Sequence, residues 1–136
     1  TARLYRDAPI NAIWEGSGNI QALDVLRALT KTPEVLTNWY DELEKSKGSD
    51  LRFDRAVVHL KSQLADMEAI EYRARHIVDQ LALTMQSHLL MQGGNSAVAE
   101  GFITSRLGAQ GIGNTGTLPP SVDVKSIIER GNPLVP

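Results

Sequence analysis

The fold is decided in residues 49–94, which read SDLRFDRAVVHLKSQLADMEAIEYRARHIVDQLALTMQSHLLMQGG. Ser49 and Asp50 suit the position before a helix, because a short polar side chain accepts hydrogen bonds from first-turn amides. After them, apolar residues recur at the spacing of one helix face: Phe53, Val57, Leu60, Leu64, Ile70, Ala74, Ile77, Leu81, Met85 and Leu89. Gly93 and Gly94 end the pattern. The stretch predicts either one long amphipathic helix or two, with Asp66 as the point where the second can start.

Helix signals continue on both sides of this stretch. Residues 32–34 combine a capping hydroxyl, a proline and an acid, which is typical of a helix start. Further helices are predicted over residues 17–30, 33–48, 95–107 and 122–130. Residues 1–16 are expected to be irregular, with at most one helical turn. Because strand-like alternation is missing and the connections are short, we predict an all-α bundle with antiparallel neighbours.

Composition narrows the classes of function. The 136 residues suit one domain, and a net charge of −2 gives no general attraction to nucleic acid or anionic lipid. Cysteine is absent, so disulfides and thiolate metal sites are excluded. His59, His76 and His88 lack the spacing of metal ligands, and we expect no metal site. No apolar run approaches the ~20 residues that span a bilayer, so no membrane contact and a cytoplasmic location are expected.

A second stretch carries the functional signal. Residues 5–21 read YRDAPINAIWEGSGNIQ, and they closely resemble a signature of the acyl-CoA dehydrogenase family, in which Arg-Asp-Ala leads into Ile-Tyr-Glu-Gly-Thr. Trp14 stands where that family usually has tyrosine, and Ser17 stands where it has threonine. The Trp-Glu-Gly-Ser-Gly-Asn-Ile order is similar to the alkylation-response, AidB-like branch. Residues 53–57 and the tail also resemble that branch, more loosely.

The resemblance implies a helical bundle like the C-terminal domain of these enzymes. Residues 1–107 would form the bundle portion, and residues 108–136 a Gly/Pro-rich tail with a short helix. Since the first residue is Thr1 and the family's other domains are not present, we expect the chain to be a fragment that is inactive alone. The complete protein would dehydrogenate the Cα–Cβ bond of acyl-CoA thioesters with FAD.

The same resemblance implies roles for single residues. Glu15 matches the family's catalytic base, which removes the α-proton of the thioester. Ser17 and Asn19 match residues that contact FAD, and their place at a helix start independently favours anion binding, because first-turn amides point at the ligand. Gly16 has no Cβ, so a ligand can approach its backbone closely. Trp14 would offer a flat face to the flavin or the acyl chain.

Partners follow from the same resemblance. Acyl-CoA is the expected substrate, the bundle is expected to form homo-oligomers, and electron-transfer flavoprotein is a candidate electron acceptor. We expect this chain alone not to hold FAD tightly. The alternative is a DNA-binding alkylation-response protein with vestigial dehydrogenase activity. Its basic candidates are Arg52, Arg55, Arg73 and Arg75, but acids alternate with them, so a mixed solvated face is favoured over a DNA surface.

Overall fold

The computed structural model describes residues 2–12, 16–108 and 119–132 of the chain. Most of this part is helical and none of it is strand, so the predicted all-α fold is confirmed. Two 3-10 helices, Ala8–Ala12 and Ile70–Arg73, lie between α-helices. The α-helices are α1 (Ala2–Asp7), α2 (Gly18–Lys31), α3 (Pro33–Glu44), α4 (Leu51–Ala65), α5 (Ala74–Gln92), α6 (Ser96–Arg106) and α7 (Val124–Gly131).

Polar side chains fix two of the helix starts. The Asp50 carboxylate accepts hydrogen bonds from the amides of Arg52 and Phe53, at 2.7 and 3.3 Å, and so begins α4. Asn95 begins α6 in the same way, because its side-chain oxygen accepts from the amide of Val98 at 3.1 Å. Each cap satisfies an amide that has no acceptor within the helix, which contributes about 1 kcal/mol.

Helix α5 lies at the centre of the bundle and packs against α2, α3, α4 and α6. Arg73, just before α5, donates a hydrogen bond to the Gln63 side chain of α4 at 2.7 Å. His59 lies one turn before Gln63 in α4. Its ring lies beside that of His76, which is nearly one turn after Arg73, in α5. The two helices are therefore antiparallel, as predicted. The core between α2, α4 and α5 contains Ala22, Leu26, Leu60, Ala74 and Ile77. Burial of a leucine or isoleucine there contributes about 1.5–3 kcal/mol.

The second half of α5 departs from the predicted apolar stripe. That stripe places Met85 and Leu89 in the core, yet Met85 is only half-buried and Leu89 is 56% exposed. Thr84, Ser87 and His88 are buried in their place. The hydroxyls of Thr84 and Ser87 donate to carbonyls four residues earlier, so their burial leaves no polar group without a partner. A polar face can therefore pack inside this end of the bundle.

The two ends of the described chain also correct the sequence reading. Residues 1–16 are not mostly irregular, because α1 and the 3-10 helix cover 2–12, although every described side chain there is exposed. The last helix begins at Val124, two residues later than predicted, because Asp123 caps it by accepting from the Ser126 amide. Residues 109–118 lie outside the described part, so the boundary predicted after residue 107 stays a prediction. Among the described helices, none combines the length and apolar character needed to cross a bilayer.

Candidate functional site

The amino end of α2, formed by residues 17–19, is open to solvent. Ser17 precedes the helix in an extended conformation, and its side chain makes no capping hydrogen bond. Its carbonyl accepts the first helical bond from Gln21 at 3.1 Å. Ser17, Gly18 and Asn19 are all exposed. First-turn amides have no acceptor within their own helix, so this end presents backbone donors and a hydroxyl to any anion that approaches.

Gly16 makes the turn into this helix. Its φ of 112° lies in the region that side chains other than glycine rarely adopt. A Cβ at this position would also lie 3.4 Å from the Ile20 side chain. The backbone path therefore needs glycine at this position. The lack of a side chain also allows a ligand to approach the backbone closely.

Arg75 of α5 lies against the same helix end, although 56 residues separate it from Asn19. Its guanidinium donates to the Asn19 side-chain oxygen at 3.4 Å. A Cβ built on Gly18 would lie 3.6 Å from the centre of the guanidinium, an ordinary contact distance, so the cation packs close to the first turn of the helix. A cation opposes the positive end of the helix dipole, and a bound anion would relieve that opposition. Only the packing of α5 on α2 reveals this residue, since sequence spacing carries no signal of it.

These groups fit the diphosphate of a dinucleotide cofactor. The site offers amide donors, the Ser17 hydroxyl and one guanidinium, which are the donors that phosphate oxygens accept from in proteins. The FAD role expected for Ser17 and Asn19 stays a prediction.

Comparison with known proteins bears on the chain as a whole. Over 81 residues, the chain is 48% identical to AidB of Escherichia coli (strain K12), a protein whose name describes an inferred acyl-CoA dehydrogenase. The aligned region covers 60% of this chain and 15% of AidB. The chain contains an AidB-like acyl-CoA dehydrogenase region. No family model matches the chain. No solved structure shows significant similarity to it.

The structure describes only part of the predicted site. Trp14 and Glu15 lie outside the described residues, so the expected ring contact and the expected base stay predictions. Gly16, Ser17 and Asn19 are described, and they lie together at the amino end of α2. The structure adds Arg75 to this group.

A second cluster has the residue types of a hydrolase, but its serine and histidine are closed to solvent. We call Glu42, Ser46, His88 and Gln92 the polar seam, since they join the end of α3 to α5. Ser46 Oγ lies 2.8 Å from His88 Nδ1, and His88 Nε2 lies 3.2 Å from Glu42 Oε1. Ser46 is fully buried and His88 is 1% exposed, so no substrate can reach the serine. The seam is structural.

The proton positions in the polar seam follow from its acceptors. The Glu42 carboxylate accepts a hydrogen bond from Lys45 at 2.5 Å and also bonds to His88 Nε2. These bonds hold the pKa of Glu42 below its ordinary value. A carboxylate only accepts, so Nε2–H donates to Glu42, and Nδ1 pairs with the Ser46 hydroxyl. Gln92 donates to the same hydroxyl at 3.0 Å. Every polar atom of the seam's interior thus has a partner.

Two of the arginines considered for DNA binding are occupied within the chain. Arg52 forms ion pairs with Asp50 and Glu100, and Arg73 binds the backbone and side chains at the end of α4. The pKa of Arg52 is raised chiefly by its hydrogen bond to Asp50, so the guanidinium stays charged. The carboxylates of Asp50 and Glu100 balance that charge. Arginines held by acids are poor phosphate ligands, and no geometric feature of this face favours the DNA alternative.

The histidines form no metal centre in the described part of the chain. His59 and His76 lie with ring centroids 6.5 Å apart, while His88 is in the polar seam. Across the described ranges, no group of three or more His, Asp or Glu side chains could hold a metal ion.

Proposed function

We propose that this chain is part of a flavin-dependent, acyl-CoA dehydrogenase-like oxidoreductase that introduces a Cα–Cβ double bond into acyl-CoA thioesters. The supporting observation is the 48% identity with AidB, together with a helix start that is exposed and provided with phosphate donors. The chain spans about 15% of AidB's length, so the remaining contacts of the cofactor and the substrate would come from other parts of the complete protein or from a second subunit.

In this proposal Glu15 removes the α-proton of the thioester. FAD, when bound, supplies the acceptor for the hydride that leaves Cβ. A base contributes most when it is fixed over the atom it deprotonates, because positioning removes much of the entropic barrier. Glu15 directly precedes Gly16, whose backbone path into α2 is set by its positive φ.

Ser17 and Asn19 hold the cofactor in this proposal. The Ser17 hydroxyl and the first-turn amides donate to the diphosphate, while Asn19 is oriented by Arg75. Trp14 and Gly16 lie beside the flavin, and the ring of Trp14 excludes water from the reacting carbons. Each of these residues acts by binding or orienting, and Glu15 alone moves a proton.

The bundle surface supports an assembly with further protein. Ile20 and Leu23 on α2 and Tyr72 before α5 are 60%, 40% and 95% exposed. Apolar groups clustered on a surface favour association, so homo-oligomers through this face are proposed. Electron-transfer flavoprotein is the proposed electron acceptor. We further propose that this chain alone is inactive and holds FAD weakly; a stoichiometric yellow pigment on the purified chain would contradict that.

The decisive test uses the complete protein with bound flavin. Addition of an acyl-CoA should bleach the flavin absorbance, and Glu15→Gln should slow bleaching by about 10²-fold or more while leaving the flavin content unchanged. Glu34→Gln, which removes a carboxylate in the first turn of α3, is the matched control and should bleach at the original rate. Normal bleaching by Glu15→Gln would remove this residue from the mechanism.

A further inference from the structure

A small apolar cavity of about 180 Å³ lies between the end of α3 and the adjoining face of α4, and we call it the α3–α4 cavity. Its apolar lining consists of Leu43 and Phe53, which are buried, and of Val57 and Val58, which lie closer to solvent. A cavity of about 150 Å³ can hold benzene, so the α3–α4 cavity can hold one large apolar side chain. None of its described lining residues belongs to the polar seam or to the amino end of α2.

Charged side chains of both signs line the exposed side of the α3–α4 cavity. Glu44 accepts a hydrogen bond from Lys47 at 2.8 Å and lies 3.7 Å from the ammonium group of Lys61. All three side chains are largely open to solvent, so these pairs are screened and a partner can replace them at little cost. An occupant that suits this cavity therefore has an apolar tip with a carboxylate and an ammonium group beside it.

The outward face of α7 presents such a tip. Ile128 is 66% exposed, and Val124, one turn earlier on the same face, is also exposed. Lys125 and Glu129 lie next to them in the helix, 3.7 Å apart, and both are open to solvent. Helix α7 packs against α6, and the exposure of Ile128 shows that its side chain does not fill the α3–α4 cavity of its own chain. The tip and the cavity can therefore meet only between two copies.

We propose that Ile128 of one copy of this chain enters the α3–α4 cavity of a second copy. Glu129 then faces Lys61 of the second copy, and Lys125 faces its Glu44. The two surfaces differ, so the contact is head to tail, and a pair of copies leaves one tip and one cavity free for further copies. This inference goes beyond the proposed function, because it concerns neither the flavin nor the residues assigned to it.

Two other exposed apolar residues match the cavity less well. Leu4 on α1 has an alanine one turn later, so it brings no second large apolar side chain to cover Val58, which is 68% exposed at the edge of the cavity. Ile20 on α2 has no basic residue within one turn of its own helix. On α7, Val124 can cover Val58, and a base and an acid both lie within one turn of Ile128. Charge and apolar complementarity therefore favour α7.

The test is sedimentation velocity of the whole chain at concentrations up to about 1 mM. One apolar anchor and two exposed ion pairs make a weak contact, so we expect a dissociation constant of about 0.1–1 mM. Ile128→Asp removes the tip, and Val58→Asp places a carboxylate at the edge of the cavity. Each should weaken self-association at least about tenfold, because the contact would bury an unpaired charge. Leu4→Asp, the same change at an exposed position of α1, is the matched control and should associate as the original chain does.

A mixture of the Ile128→Asp and Val58→Asp chains decides whether the contact is head to tail. The first variant keeps its cavity and the second keeps its tip, so the mixture should form a one-to-one dimer and nothing larger. When only the Ile128→Asp chain is isotope-labelled, the amide signals of Phe53 and Lys61 should shift as the other chain is added. A mixture that stays monomeric, or shifts that spare these two residues, would overturn the proposal.

An exchange of charges tests the same contact with the apolar residues unchanged. Glu129→Lys and Lys61→Glu should each weaken self-association about threefold at low salt, and both changes in one chain should restore it. An original chain that stays monomeric at about 1 mM would contradict the proposal. Association that is lost in Ile20→Ser but retained in Ile128→Asp would overturn it and place the contact on α2. The bleaching of the flavin in the complete protein decides the proposed function separately from all these outcomes.

Discussion

The polar seam and the amino end of α2 use similar residue types in opposite ways. In the seam, Ser46 and His88 are removed from solvent, and the Ser46 hydroxyl bonds to both His88 and Gln92. At the helix end, Ser17 and Asn19 are exposed, and the serine hydroxyl makes no capping bond. A buried polar group must be satisfied within the fold, whereas an exposed one is available to a ligand. The comparison assigns stability to the seam and leaves the helix end available to a ligand.

The largest effect on stability is expected when the histidine of the polar seam is removed. His88→Ala should lower the free energy of unfolding by about 3 kcal/mol, because it opens a cavity and leaves the buried Ser46 hydroxyl without its acceptor. Urea unfolding followed by circular dichroism measures the change. His76→Ala, on the exposed face of the same helix, should change it by less than about 0.5 kcal/mol. Equal effects of the two substitutions would show that the seam is not a stabilising element.

A smaller loss is expected from the ion-pair cluster that joins α4 to α6. Arg52 lies between Asp50 and Glu100, and its side chain is 32% exposed, so solvent screens part of the attraction. Arg52→Met should cost about 1–2 kcal/mol of unfolding free energy, measured by the same urea titration. Arg55→Met, one turn further along α4 and exposed, is the control. A cost no larger than that of the control would show that the cluster contributes nothing.

The stability that this ion-pair cluster contributes should also depend on pH. Hydrogen bonding to Arg52 holds the pKa of Asp50 and of Glu100 below their ordinary values of 3.8 and 4.5. Groups with a lowered folded-state pKa stabilise the fold above the unfolded pKa, and that contribution is lost as the pH falls through the folded one. The stability difference between the original chain and Arg52→Met should therefore be full near neutral pH and shrink below about pH 4. A difference that grows with acid would contradict this assignment.

The smallest effect on stability is expected at the helix end. Ile20→Ser should change the free energy of unfolding by less than about 0.5 kcal/mol, because the side chain is 60% exposed. If this face mediates self-association, sedimentation should show a smaller oligomer for the variant. Leu26→Ser on the same helix is the contrast, since that side chain is buried in the core and its loss should cost several times more. Unchanged sedimentation of Ile20→Ser would place any oligomer interface elsewhere.

Much of the fold follows from the sequence because each helix is specified locally. Asp50 and Asn95 are capping residues in the sequence and caps in the structure. The spacing of Phe53 and Leu60 likewise predicts the buried face of α4. The buried polar face of α5 could not be predicted from periodicity, because the burial of His88 depends on Ser46, 42 residues away.

The candidate site could be predicted only where its residues are contiguous. Ser17 and Asn19 follow from a helix-start pattern and a family resemblance, both of which are local in the sequence. Arg75 could not be found in this way, because α5 brings it to α2 through packing of the core. A binding surface formed by distant segments carries no spacing signal in a single sequence.

The central claim is that the amino end of α2 binds the cofactor without supporting the fold. The most direct test is the flavin content of the complete protein in which Ser17→Ala and Asn19→Ala are combined, measured by absorbance and accompanied by the unfolding temperature. We expect flavin affinity to fall at least about tenfold, as for the loss of two hydrogen bonds to a charged group, with the unfolding temperature changed by no more than about 2 °C. Full retention of flavin, or a large fall in the unfolding temperature, would contradict the claim.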